Sequence, residues 1–555
     1  MLKQELSSRN KIIDFIGYNL KSSLIGFSEL FSFFGGDMNI DKNTKAFVRG
    51  TALISFSVII TKVMGVFYKV PLSYVLGDEG MGYFNSAYAI YSFLYVLCVS
   101  GVPKAITISL AENGRYKSDD SGHVLLRRAI SLFTKIGIAV TAVNIACAPA
   151  LVKLIGSKNS LYTILAIAPS IIFVSVSGVL RGCMNYYDKL SKIAVSQLIE
   201  AALKLVLGLA FAFIGVRMRL SLPLISALCV LGITLGSMAS CLYLLMLFKK
   251  MFRDKKAGQS DFDYRKVLRK SIYKIALPIS LGAAVLNLGG MIDLGIIMNK
   301  LTEIGMSEQE ANAIYGNYTT LAVPMVNLVI SMISPIMLAF LPKLASAYVK
   351  RDVNESSDIF RRMILVNSAI SIPSSFAFAF YSFEILDILF SVSSAAIGAE
   401  LLAVLALGLI LLSLLTVINT ALEAQGKIKH SVVSLVVGSA VKLLGNIILI
   451  EELGMIGAPV STVISYAVSF LLSIVGLSDR ANKIVVLNSL FDVLVCAVCF
   501  ALPYIFIYSR ACANNGLFVS VLSMAISCIL YFFIFCIRML RLRRAKNVES
   551  AQKNM

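Results

Sequence analysis

Two lysines carry the first chemical signal in this chain. In "TKVMGVFYKV" (61–70), Lys62 and Lys69 stand seven residues apart inside an otherwise apolar run. A helix turns about 100° per residue, so positions seven apart differ by only about 20° and share a face. An ammonium at mid-bilayer costs about 2.5–3.5 kcal/mol on insertion scales, so such a residue is expected to face a wet cavity or a partner. Gly65, near the same stripe, leaves room beside it. The chemistry this suits is electrostatic capture of an anion rather than bond making. Lys69 lies nearer the end of the run, where snorkelling to the interface is the competing reading.

Other charges in apolar runs invite the same comparison. Glu200 and Lys204 are four apart with the acid first, the favourable order for a helical ion pair, so structural pairing is the simpler reading. Asp293, in "LGGMIDLGIIMNK", reads either as a group coupling transport to a proton or cation, or as the partner of a lysine from the other half of the chain. Lys442 has no acid one turn before it, because Gly438 stands there, so it pairs across helices or meets cargo. Lys104 closes the second apolar run, while Lys135 sits near the start of the third and is expected to reach the cytoplasm. Asp492, late in the chain, reads as a helix contact.

These residues must be held by membrane-spanning helices. The 555 residues are 58% hydrophobic and 15% charged, with a mean hydropathy of +0.82, too apolar for a soluble domain to cover. Runs of about 20 apolar residues, the length of a bilayer core, recur fourteen times from 47–68 to 516–537. Charge placement tests that reading. Of the 51 Lys and Arg, Lys69, Lys153, Lys158, Arg217, Arg219, Lys300 and Arg510 fall in external loops, and Lys62, Lys135, Lys204 and Lys442 in spans. All the others fall in cytoplasmic segments when both termini are inside, as the positive-inside rule asks. The net charge of +20 therefore orients the chain and meets anionic lipid at loops such as "KKMFRDKK" (249–256) and "RKVLRK" (265–270); nucleic acid is not an expected partner. No cleavable leader is expected before the first span; "KIIDFIGYNLKSSLIGFSELFSFF" (11–34) could lie in the headgroup plane, or translation could begin at Met38.

Several chemistries are excluded by what is missing. There is no G-x-x-x-x-G-K-[ST] phosphate loop, so no ATP hydrolysis is expected in this chain. Both histidines, His123 and His430, fall in cytoplasmic loops, and the ten cysteines lack metal-ligand spacing; Cys496 and Cys499 match a redox pattern but sit within a span. The expectation is a protein that is not an enzyme, with no cofactor or metal, drawing if anything on a proton or Na+ gradient or the membrane potential.

An internal duplication organises the spans. "GVPKAITISLAE" (101–112) after the second matches "AFLPKLASAYVK" (339–350) after the eighth, and "SQLIEAALKLVLG" (196–208) matches "SLVVGSAVKLLGN" (434–446). Pro103-Lys104 and Pro342-Lys343, like Lys204 and Lys442, are separated by nearly one offset. Six spans per repeat is an even number, so the halves are parallel repeats, with a binding cleft expected between them. Prolines within spans, among them Pro169, Pro278, Pro324 and Pro373, suit bending helices.

Twelve spans in two parallel repeats plus two more resemble the multidrug/oligosaccharidyl-lipid/polysaccharide exporter superfamily. Within it, "TKVMGVFYKVPLSYVLGDEGMGYFNSAYAIYSF" is similar to the start of the lipid II flippases and the stage V sporulation protein B group: Lys62-Val63-Met64-Gly65, then Lys69, then Leu76-Gly77 and Gly82. "YGNYTTLAVPMVNLVISMISPIMLAFLPKLAS" (315–346) is similar to that family's eighth-span region. The resemblance implies an all-α polytopic membrane protein of fourteen transmembrane helices, with two six-helix repeats about a V-shaped cleft and two C-terminal helices. It also implies a flippase of the plasma membrane, moving an undecaprenyl-pyrophosphate-linked oligosaccharide or peptidoglycan precursor by alternating access, and a monomer whose partners are its lipid-linked substrate and membrane lipids. Lys62, Lys69 and Lys104 match positions where the family places pyrophosphate-holding cations, and Lys442 joins them as an intramembrane cation. The lipid II flippases usually have arginine there; lysine binds phosphate as a point charge without a planar fork. The expected divisions are 1–45, an N-terminal segment; 46–250, the first bundle; 251–274, a basic linker; 275–478, the second bundle; 479–540, helices thirteen and fourteen; and 541–555, a basic tail. The competing classes are a drug–cation antiporter of the same superfamily, whose cleft would favour acids, and a non-transporting partner in wall or spore-coat assembly.

Overall fold

In a bilayer core no water satisfies the backbone, so each segment must bond its own N–H and C=O groups, and helices result. The computed structural model describes residues 42–112, 121–253, 276–477, 495–505 and 519–535, with residues 273 and 537, and every regular element among them is helical. The 11–34 segment, Met38, "RKVLRK", Asp492 and the basic tail lie outside the described residues. The described residues from Ile54 onward belong to one compact unit.

The first helix, α1 (Lys42–Val99), fuses the first two expected spans. The stretch read as an external loop is helical on both sides of Gly77, whose positive φ of 62° makes the break that glycine alone tolerates cheaply. After a break at Ser100 come α2 (Val102–Glu112), α3 (Ser121–Ile155), α4 (Leu161–Ile167), α5 (Ser170–Tyr186), α6 (Leu190–Arg217) and α7 (Leu222–Met251). The second half begins with α8 (Leu277–Glu303) and α9 (Glu308–Asn317). The latter occupies the region read as an external loop. Its start was legible, because Ser307 and Glu310 close a reciprocal capping box. A π-helical turn, Tyr318–Ala322, leads into α10 (Val323–Val349). Then follow α11 (Val353–Phe380), α12 (Ser382–Leu389), α13 (Val392–Ala424), α14 (Ile428–Leu453) and α15 (Gly457–Gly476).

Among the described residues, nine helical stretches are long and apolar enough to cross a membrane, and a shorter apolar helix spans Val519–Phe535. The number is lower than fourteen partly because adjacent runs join: Ile428–Gly476 holds the eleventh and twelfth. Large apolar side chains such as Phe213, Val206, Leu444 and Ile448 are exposed on α6 and α14, as a lipid solvent requires.

Packing repeats between the halves. In the first, α3 packs on α5, α5 on α7 and α6 on α7; in the second, α11 packs on α13, α13 on α15 and α14 on α15. These are the same pairs of spans in the same order, so the last four spans of each repeat read from the sequence pack alike. Without a hydrophobic drive between helices in lipid, close backbone approach at small residues matters. Gly232 of α7 lies against the backbone of Gly208 of α6, where any added Cβ would crowd it.

A cationic cavity between the two repeats

The central cavity, of about 440 Å³, takes its walls from both halves: α1 and α6 on one side, and α8, the π turn, α10, α14 and α15 on the other. Among the described residues three ammonium groups line it, Lys69, Lys204 and Lys442, with one carboxylate, Asp293. The lining is thus net positive.

Each lysine is held differently. Lys69, on α1, donates to the Asn85 side-chain oxygen at 3.0 Å and to the Thr319 backbone carbonyl at 2.8 Å. Asn85 in turn donates to the Thr320 hydroxyl at 2.7 Å, so the two halves are clasped here. The Thr319 carbonyl is free to accept because it lies in the π turn and Pro324, with no N–H, cannot bond back to that turn. Both acceptors of Lys69 are neutral, so two of its protons are bonded while its charge is not cancelled.

Lys204, on α6, sits over aromatic faces, 4.8 Å from the Tyr88 ring centroid and 5.6 Å from that of Tyr68. A ring face attracts a cation without neutralising it. The platform is itself braced: Tyr68 meets Phe84 edge-on at 5.9 Å, Phe84 stacks on Tyr88 at 6.3 Å, and the buried Tyr68 hydroxyl donates to the Cys229 carbonyl at 3.4 Å.

Lys442, on α14, is paired. Its ammonium lies 2.6 Å from Asp293 of α8, and the Asn446 amide donates to the other carboxylate oxygen. A carboxylate only 6% exposed needs such partners, since burying an uncompensated charge costs several kcal/mol. Tyr315, Tyr318 and Tyr466 complete this wall.

The remaining expectations divide. The same-helix pair Glu200–Lys204 does not form; Glu200 accepts instead from the buried Arg181 guanidinium at 2.9 Å and from the Ser237 hydroxyl at 3.2 Å. Arg181, at the end of α5, is buried and permanently charged, so it takes the nearest acid and leaves Lys204 to the cavity. Asp293 finds its lysine in its own half, not the other one. Lys104 is exposed on α2 and absent from the cavity lining, because the break at Ser100–Gly101 starts a new helix that does not carry the α1 face onward. Lys62 belongs to α1, but its side chain lies outside the described residues; Gly65, three residues on, lines the cavity.

Sequence reasoning missed the polar groups that clasp Lys69 and the aromatic seat of Lys204. The signal was present in "FNSAYAIYSFLY", where an asparagine and tyrosines at 88, 91 and 95 recur with helical spacing within an apolar run. Arg181, one of the Lys and Arg assigned to cytoplasmic segments, is instead buried near the end of α5.

Two six-helix repeats closing on a net-positive cavity define a membrane transporter of the exporter type. The chain belongs to the lipid II flippase MurJ family, whose profile matches residues 72–533. Stage V sporulation protein B of Bacillus subtilis (strain 168) is 22% identical over 365 residues, which cover 65% of this chain and 70% of that protein. Lipid II flippase MurJ of the same organism is 20% identical over 482 residues, 81% and 86% of the two chains. A solved structure of lipid II flippase MurJ in an inward closed conformation is similar with a TM-score of 0.66, at 16% identity over 88% of this chain and 99% of that one. An inward-facing multidrug-resistance MATE transporter is similar with a TM-score of 0.61, at 12% identity over 77% and 96%. The protein is a multi-pass protein of the plasma membrane.

Proposed function

We propose that this chain is a flippase that carries an undecaprenyl-pyrophosphate-linked oligosaccharide or peptidoglycan precursor across the plasma membrane by alternating access. The observation that carries this reading is the sign of the cavity: three lysines face one carboxylate, and that carboxylate is already paired. A pyrophosphate suits such a lining, whereas a cavity for cationic drugs would favour unpaired acids. Family membership and the likeness to the lipid II flippase of Bacillus subtilis support the same substrate class.

In this reading Lys204 and Lys69 receive the pyrophosphate, because their present partners are rings and neutral oxygens that an anion can displace. Lys62 belongs with them on the shared face of α1. The Asp293–Lys442 pair is the candidate for coupling to a proton or Na+ gradient, since a cation or proton on Asp293 would release Lys442 toward the substrate. Both termini are proposed to lie inside, on the strength of the Lys and Arg bias, and the six-helix divisions at 46–250 and 275–478 are the proposed working units.

The test is flipping of defined undecaprenyl-linked substrates in reconstituted vesicles, with complementation of a flippase-depleted strain. Lys204→Gln should slow transport about tenfold and Lys204→Glu should abolish it, with expression and folding intact. Wild-type transport by Lys204→Glu would overturn the assignment.

A further inference from the structure

A second cavity, of about 380 Å³, opens at the opposite end of α3 and α7 from their short outer loops. It is lined by His123, Arg127 and Ile130 of α3, by Leu245, Phe248 and Lys249 of α7, and by Phe252 and Arg253 just beyond it. Arg127 and Arg253 lie one turn from His123 and Lys249 respectively, so two facing stripes converge on one space. Arg127, Lys249 and Arg253 are exposed, whereas His123, Phe248 and Phe252 are buried beneath them. The three rings form a packed stack: His123 lies 5.7 Å from Phe248 and 5.0 Å from Phe252, and the two phenylalanines are 5.0 Å apart.

The arrangement is amphipathic along the membrane normal. The three cations form the rim, while Ile130, three residues past Arg127, and Leu245, four residues before Lys249, lie deeper along the helices. The start of α3 and the end of α7 meet here, so their dipole ends oppose one another and the side chains decide the sign. Among the described residues, no carboxylate lies within ion-pair distance of Arg127, Lys249 or Arg253. Basic pockets between transmembrane helices at a headgroup level bind anionic lipid heads.

We infer that this cavity is a lipid site, holding the phosphodiester of an anionic phospholipid on Arg127, Lys249 and Arg253 while an acyl chain runs down past Ile130 and Leu245. It is separate from the transport cavity, sharing none of its lining residues, and stands whether or not that cavity carries a lipid-linked sugar. It also gives Lys249 and Arg253 a specific task beyond orienting the chain.

Native mass spectrometry of the full-length protein, released from bilayers mixing phosphatidylglycerol with phosphatidylcholine, tests this. Wild-type protein should retain phosphatidylglycerol, and retention should fall about fivefold for each charge removed among Arg127→Gln, Lys249→Gln and Arg253→Gln. A charge-matched triple elsewhere, Lys153→Gln, Lys158→Gln and Arg217→Gln, should retain it as wild type does. Equal losses from both triples would reduce the effect to net charge and overturn the site. So would unchanged retention in the first triple, or displacement of the lipid by millimolar inorganic phosphate, which would point to a soluble anion instead.

Discussion

Lys204 and Lys442 hold matching places in the two repeats yet meet opposite surroundings, rings for one and a carboxylate for the other. The asymmetry makes their variants behave differently. Asp293→Asn leaves Lys442 without its counter-charge and should destabilise the protein by about 2 kcal/mol, below the 3–5 kcal/mol of a fully buried pair because Lys442 stays partly open to the cavity. The double variant Asp293→Asn/Lys442→Met removes the charge as well and should recover most of that loss. Thermal unfolding in micelles reads both, and equal melting of single and double variants would show that the pair does not hold α8 to α14. Lys204→Gln, by contrast, loses only a cation–ring contact of about 0.5–2 kcal/mol and should melt close to wild type. Its cost belongs to transport.

At the scale of elements, glycines set how closely the halves can meet. A Cβ on Gly82 of α1 would collide with the Asn312 carbonyl of α9, and one on Gly316 with the Asp78 carbonyl. Gly101 stands in the same relation to Ala276 and donates its N–H to the Ser280 hydroxyl at 3.1 Å. Gly82→Ala should therefore cost the contact between α1 and α9 about 1–3 kcal/mol through overpacking while sparing each bundle. Spin labels at positions 158 and 308, in a variant lacking accessible native thiols, should then report longer and broader distances. An unchanged distribution would mean that the helices adjust locally without separating. The π turn makes a second case. Pro324→Ala restores an N–H that can bond back into Tyr318–Ala322, so Lys69 should lose its hold on the Thr319 carbonyl. Infrared or exchange measurements on that segment should show stronger backbone protection.

At the scale of the whole molecule, the halves share an apolar core that includes Leu72 and Phe84 of α1 with Leu294 of α8 and Leu321 of the π turn, and polar contacts add to it. Beside the Lys69 clasp, Ser394 donates to Asp78 at 2.5 Å and Ser157 to the Asn312 side chain at 3.1 Å. Each such bond contributes roughly 0.5–1.5 kcal/mol net, so the polar set adds a few kcal/mol to the apolar packing between the halves. Ser394→Ala with Asn85→Ala should raise hydrogen exchange across residues 308–320 without lowering the melting temperature by more than a few degrees. Much of this architecture was legible in advance. Apolar run length and the Lys204–Lys442 offset specify spans and duplication, because each is a one-dimensional property of the chain. The partners of the charges were not legible. Arg181 and Glu200 meet across two helices, and Asp293 meets Lys442 across 149 positions, so only packing selects between a neighbour one turn away and one brought in by the fold.

The tyrosines of the central cavity have an optical consequence. The chain contains 22 tyrosines and no tryptophan, so excited phenols around Lys69, Lys204 and Lys442 have no indole to which they can pass their energy. Ultraviolet emission from the unlabelled protein is therefore phenolic, and cargo entering against Tyr68 and Tyr88 should register as partial quenching. A single indole placed at Phe84 would be the molecule's lone long-wavelength emitter, a built-in gauge of occupancy at the heart of the membrane.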